Sequence, residues 1–447
     1  MPHHQPPPRR QLLQTLLGLG AWYSLPAPAQ NAIVNEAVSA DQIRAAGQKS
    51  IQTTEAGRLI VVLLRGAYDG LSALVPYSDP DYYRLRPTIA IPAPDGTAQT
   101  ALKLDDTFAL HPAMAALLPL WQQGLLAVVP CAGSPDPTRS HFDAQHDWET
   151  GQPGHRGVST GWMNALSGAS PDSSALGVGE SNPLILAGST PVQLVPRGQA
   201  ATRAGSLGNP RTRDAVMQLY GGDDAVSKAF REGAQSRLQT TRMLSETDVD
   251  AAPANAPSMQ PKAMKRREQI AADNGAGPAR GLRLDAQHLA TLMQQNPHLR
   301  LGFLSAGGWD THANQGAVNG PLARNLGELA ATLVQLQRDF DCPNDVVLVA
   351  SEFGRTSAEN GSRGTDHGHG NALWLMGRAV NGGRWHGHWR GLAASQLHEG
   401  RDLPAHHDFR AVLAQVLRRT QGVPADEVQR LFPGLARDDA LNRLMRA

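Results

Sequence analysis

Apolar residues in this chain gather in short unbroken runs separated by longer amphipathic stretches. Residues 58–64 read Arg-Leu-Ile-Val-Val-Leu-Leu, and similar runs occupy 125–129, 183–187, 299–304, 345–350 and 372–376. A run of four to seven apolar residues without polar alternation predicts a strand buried on both faces, as in parallel sheets. Between the runs, apolar positions recur at helical spacing. Leu322, Leu326, Leu329, Leu333 and Leu336 predict a helix over 320–338, and Leu117, Leu118 and Trp121 predict one over 112–123. Strands alternating with helices predict an α/β protein: three α/β/α layers around a mostly parallel sheet.

Two regions break this rhythm. Residues 205–283 carry charged helical sequence and a Pro/Ala-rich stretch at 251–257, with no strand-like run. They predict a helical insertion in the domain that spans 57–447. At the start, Arg9 and Arg10 precede a moderately apolar run from Leu12 to Leu25, followed by Ala27-Pro28-Ala29. Paired arginines, a short apolar core and a small-x-small site predict an export signal over 1–29, of the twin-arginine kind, with a polar leader over 30–56. An ordinary secretory signal is the alternative. The expected location is the periplasm or the extracellular space. The apolar run is too short for a stable membrane span.

Composition narrows the function. The 447 residues carry a net charge of +1 and only 5% aromatic residues, so no field or stacking surface points to nucleic acid. The two cysteines, Cys131 and Cys342, are too few to define a disulfide framework. Side chains that do chemistry gather instead after the predicted strands. Asp69 follows the first. Thr138, Arg139, Ser140, His141 and Asp143 follow the second. Asp310 and His312 follow the strand at 299–304. Glu352 and Arg355, then Asp366, His367 and His369, follow the strand at 345–350. The richest stretch, Gly364-Thr365-Asp366-His367-Gly368-His369-Gly370, sets a carboxylate and two imidazoles among glycines, which let the backbone fold closely around an ion. Parallel strands bring their carboxyl ends to one rim, so these loops can converge. Each residue also has a plain reading. Asp69 can cap a helix beginning near Leu71, His141 and Asp143 can form a local network with Arg139, and Glu352 can pair with Arg355. Asp408 and Arg410 are expected to start the C-terminal helix, and Trp309 to serve packing.

The order of these loops resembles the alkaline phosphatase superfamily. More closely, the chain resembles the uncharacterised family called domain of unknown function 1501, which has been grouped with that superfamily. The matching stretches are 65–71, 138–145, 308–314, 351–356, Asp366-His367 and 408–412. The resemblance implies an alkaline phosphatase-like fold and a divalent metal: zinc, manganese or calcium. It places Asp69, Asp366 and His367 on one ion, and Asp310 with a histidine on a second. That histidine is His312 or His369, with His406 and His407 as further candidates. It implies Ser140 or Thr138 as nucleophile and Arg139 or Arg355 as a clamp on non-bridging oxygens. The sequence departs from the superfamily at two points. Asp310 and His312 are two residues apart rather than four, and Pro135 occupies the place of a sulfatase-type nucleophile. The expected activity is hydrolysis of a sulfate or phosphate ester on a small molecule or glycan. The alternative is an exported binding or assembly protein that keeps the fold without the reaction.

Overall fold

The computed structural model describes residues 57–170, 173–245 and 272–446. The export signal and leader lie outside the described residues. Seven strands carry the main sheet: β1 (Leu59–Leu64), β2 (Leu126–Gly133), β3 (Ser174–Val178), β4 (Gln193–Val195), β5 (Leu299–Gly307), β6 (Val346–Ala350) and β7 (Asn371–Met376). Their order is β2-β7-β6-β1-β5-β3-β4, with the short strand Arg384–Trp385 outside β2. Only β7 among these runs antiparallel, pairing with β6 on one side and β2 on the other.

Alternate residues of β1 enter different cores. Ile60, Val62 and Leu64 pack into one apolar cluster, and Leu59, Val61 and Leu63 into another. This two-sided burial explains why the run shows no polar alternation. One side is covered by α1 (His141–Thr150), α2 (Trp162–Ala169) and the C-terminal helix Phe409–Thr420, through Trp148, Trp162 and Val412. The opposite side is covered by the helices Leu282–Gln295 and Pro321–Asp339, through Leu289 and Leu329. The result is a three-layer α/β/α protein with a mostly parallel sheet.

One predicted strand is corrected. Residues Leu184–Leu186 form a 3-10 turn, and the strands lie on either side of it as β3 and β4. Pro183 and Pro191 bracket the apolar run, and a run that short satisfies a buried turn as readily as a strand. β3 itself (Ser-Ala-Leu-Gly-Val) is too poor in branched residues to announce itself. Inside 205–283 the chain forms the helices Pro210–Leu219 and Ala225–Ser245, and the pair Gly277–Pro278 adds to the edge of β5. Asp408 caps the C-terminal helix by accepting from the Arg410 N–H, and Arg410 pairs back onto it. Trp309 is buried edge-on to Tyr68.

Candidate metal centre

The loops after β2, β5 and β6 meet at the carboxyl rim of the sheet. Ser140 caps α1, its hydroxyl accepting from the Asp143 N–H at 3.4 Å, and so places His141 as the first helical residue. Gly308, at φ +88, turns the chain after β5 and carries Asp310 and His312 into the same space. His367 arrives from the glycine-rich loop that precedes β7.

Three imidazoles converge there through the same ring atom. His367 Nε2 lies 3.0 Å from His141 Nε2 and 3.0 Å from His312 Nε2. Asp310 Oδ1 sits among them, 2.9 Å from His312 Nε2, 3.3 Å from His367 Nε2 and 3.7 Å from His141 Nε2. Each ring's other nitrogen faces an oxygen. His141 Nδ1 donates to Glu352 Oε1 at 2.7 Å, His367 Nδ1 to the Arg139 carbonyl at 2.9 Å, and His312 Nδ1 to Asp366 Oδ1 at 3.2 Å. A carbonyl only accepts, so the His367 proton belongs on Nδ1 and its Nε2 lone pair faces inward. The same assignment for the other two rings points three lone pairs and a carboxylate oxygen at one another. Such an array repels itself unless a proton or a cation lies between. Imidazoles held through Nδ1 by carboxylates or carbonyls are the usual outer support of metal-binding histidines. Donors around a tetrahedral ion at ~2.0–2.1 Å would lie roughly 3.3 Å apart, in the range found here. His141, Asp310 and His367 each offer a ligand atom within 4.8 Å of the others. His312, more open to solvent, lies beside this group, 2.9 Å from Asp310 and 3.0 Å from His367.

The charges suit a cation. Burial works to raise the Asp310 carboxyl. The imidazoles of His141, His312 and His367 packed against it, with the Arg355 guanidinium, overcome it and hold Asp310 far below the usual carboxylate range. Burial opposes a proton on His141, yet Asp310 and Glu352 push its pKa up to about 9. Burial likewise opposes ionisation of Glu352, which His141 and Gln145 bring down to about 2. His367 moves the other way: burial, with His141 and Arg355 nearby, lowers it despite Asp310.

The structure does not bring every predicted residue here. Asp69 is buried at the end of β1 but faces away into a separate cluster. Arg86 grips it through both terminal nitrogens, at 2.6 and 3.0 Å, while Ser72 and Gln315 donate at 2.7 and 2.6 Å. With those donors filled, its carboxylate is not among the groups that converge at this centre. His369 turns away as well, its Nε2 donating to the Ser134 carbonyl at 2.9 Å. Asp366 reaches the centre only through His312. Arg355 is buried and fully committed, donating to Asp310 and to the carbonyls of Gly66, Ala67, Trp309 and Thr365, so it cannot clamp a substrate. Glu352 pairs with His141 rather than Arg355. Arg139 binds Glu399 and Asp402 at 2.6 and 2.7 Å, and the Thr138 hydroxyl accepts from the Ser140 N–H. His406 and His407 lie elsewhere: His407 donates to Asp438 and accepts from the His388 N–H.

Two contributors lack any strong sequence signal. Gln145, one turn along α1, donates to Glu352 at 3.0 Å and to the Ala272 carbonyl at 2.6 Å. Asp273, near the end of the insertion, accepts from the Gly308 N–H at 2.8 Å, and burial with Asp310 and Glu352 nearby pushes its carboxyl up to about 6. A side chain at Gly307 would strike Asp273 at 2.4 Å, so that glycine makes room for it. His141 was visible in the second strand-end loop, and its equivalence to the other loop histidines was the available signal.

No curated protein matches the chain. Among solved structures, an alkaline phosphatase from the Antarctic bacterium TAB5 is loosely similar. It is 10% identical over 83% of this chain and 99% of its own, with a TM-score of 0.32. A variant of that enzyme with magnesium bound is 11% identical over 82% and 98%, with a TM-score of 0.31. The family model for the protein of unknown function DUF1501 matches residues 56–432, through every loop of the centre, and the chain belongs to that family.

Proposed function

We propose that the chain is a metal-dependent hydrolase of sulfate or phosphate esters acting outside the cytoplasm. The convergence of three imidazole Nε2 atoms on one oxygen of Asp310 carries this reading. His141, His312, His367 and Asp310 would hold the ion. Three nitrogens and one oxygen suit zinc or manganese better than calcium, which takes oxygen ligands. Bound there, such an ion would supply Lewis acidity toward an ester oxygen. The chain's own groups do the rest. Glu352, Asp366 and the Arg139 carbonyl fix the rings. The N-terminus of α1 opens beside His141 and favours an anionic group. Asp273 places a partly buried carboxylate within electrostatic reach of Asp310 and His141, suited to handling a proton.

The second reading, a metal-bearing binding protein, has its own observation. The Ser140 and Thr138 hydroxyls both accept backbone N–H groups, and among the described residues no base bonds to either. One measurement tests the metal site that both readings share, and a second separates them. Protein purified without chelator should hold about one zinc or manganese per chain by elemental analysis, and His367→Ala should hold almost none. Aryl sulfate and aryl phosphate turnover that is lost with chelator and restored by metal supports the hydrolase. Full metal with no turnover of any ester supports the binding protein.

A further inference from the structure

We propose that a second site, on the opposite rim of the sheet, binds a small soluble polyanion bearing phosphate or sulfate groups. The C-terminal helix Phe409–Thr420 begins at the carboxyl rim, where His407 and Asp408 pair with Ala132 and Gly133 of β2, and ends at the other rim, where the Thr420 carbonyl accepts from the Gly57 N–H just ahead of β1. Its last turn places Arg418 and Arg419 on the wall of a cleft of about 610 Å³. The segment 437–446 supplies the facing wall with Arg437 and Arg446. A volume of this size fits a small ligand.

Four guanidinium groups line the cleft; the one carboxylate against them among the described residues is Asp439, ion-paired with Arg437 through Nε, although the whole chain carries a net charge of only +1. Gathering like charges in a concavity costs energy unless a counter-charge occupies it. Cations in a last helical turn are ordinary partners of the helix dipole, which accounts for Arg418 and Arg419 alone but not for Arg437 and Arg446 facing them. Nor do internal bonds use up the donors. Arg419 donates through Nε to the Arg446 carbonyl, and Arg437 through Nε to Asp439. Arg446 is anchored by Nε to the Val380 carbonyl and by Nη2 to that of Gly124. Arg418 has no hydrogen-bond or ion-pair partner among the described residues. The terminal nitrogens of Arg418, Arg419 and Arg437 thus remain for a ligand. Guanidinium forks match phosphate and sulfate oxygens two at a time, and four of them suit more than one anionic group.

Isothermal titration of the full, metal-bearing protein with tripolyphosphate tests this. The expected result is saturable binding at one site per chain that weakens as salt rises. In the double variant Arg418→Ala/Arg437→Ala it should weaken at least about ten-fold. Both positions are exposed, so the thermal melt and the metal content of the variant should match the parent. Absence of saturable binding to the parent would overturn the proposal. So would equal binding to the variant, which would place the anion at the metal centre. Co-sedimentation with phosphatidylglycerol vesicles, lost in the variant without soluble tripolyphosphate binding, would overturn it in favour of a lipid surface.

Discussion

Asp69 and Asp310 follow adjacent parallel strands, β1 and β5, and both lie at the carboxyl rim of the sheet. Their partners make them different things. Asp69 meets a buried arginine, a hydroxyl and an amide, all donors, and becomes a neutralised anchor. Asp310 meets three imidazoles that are themselves held from behind, and is the acidic corner of the proposed ligand set. Position on the rim makes a carboxylate available; the groups facing it decide whether it holds the fold or a cation.

The largest expected effect tests the anchor. Asp69→Ala strands the Arg86 charge in a buried site, a change that typically costs about 3–5 kcal/mol. Denaturant unfolding should register that loss, while metal per folded chain stays at the parental value. Intact stability with lost metal would return Asp69 to the ligands and erase the contrast. Next comes the support behind the rings. Glu352→Gln keeps the shape but weakens the hold on His141, and should lower metal affinity by about 10- to 100-fold in a competition titration.

The proton balance gives a third, smaller effect. In metal-free protein the folded pKa of His141, about 9, exceeds the roughly 6.5 of an unfolded histidine. Its stabilising contribution is therefore complete below about pH 6.5 and fades as pH rises through 9, by a kcal/mol or so once coupling to its neighbours is allowed for. Thermal melts of chelator-treated protein should fall across that window. Metal displaces the proton, so melts of loaded protein should not show this fall, and metal affinity should rise with pH. Parallel pH profiles with and without metal would contradict the assignment of His141. The smallest effect concerns Ser140. As a helix cap, its replacement by Ala should cost about 1 kcal/mol and leave metal content unchanged. Loss of ester turnover well beyond that cost would make its hydroxyl a participant in the reaction.

The architecture was legible wherever burial on both faces erased polar alternation, which is why β1, β5, β6 and β7 announced themselves. It was illegible at 183–187, where bracketing prolines turned an apolar run into a tight turn. The convergence of Asp310, His312 and His367 could be read because strand-end loops meet at one rim in any parallel sheet. The surroundings of Asp69 could not be read, because nothing in the sequence says that Arg86, 17 residues later, turns back to cover it. For Glu352 the sequence offers an arginine three residues away as one partner, whereas its partner is His141, 211 residues distant. Asp273 could not be read at all, since it reaches the centre from the end of an insertion with no strand to point it.

Anomalous diffraction from crystals of protein purified without chelator addresses the central claim most directly. A single peak about 2.0–2.2 Å from the Nε2 atoms of His141, His312 and His367 and from an Asp310 oxygen is the predicted result. A peak beside Asp69, or no peak after soaking with zinc and with manganese, would contradict it.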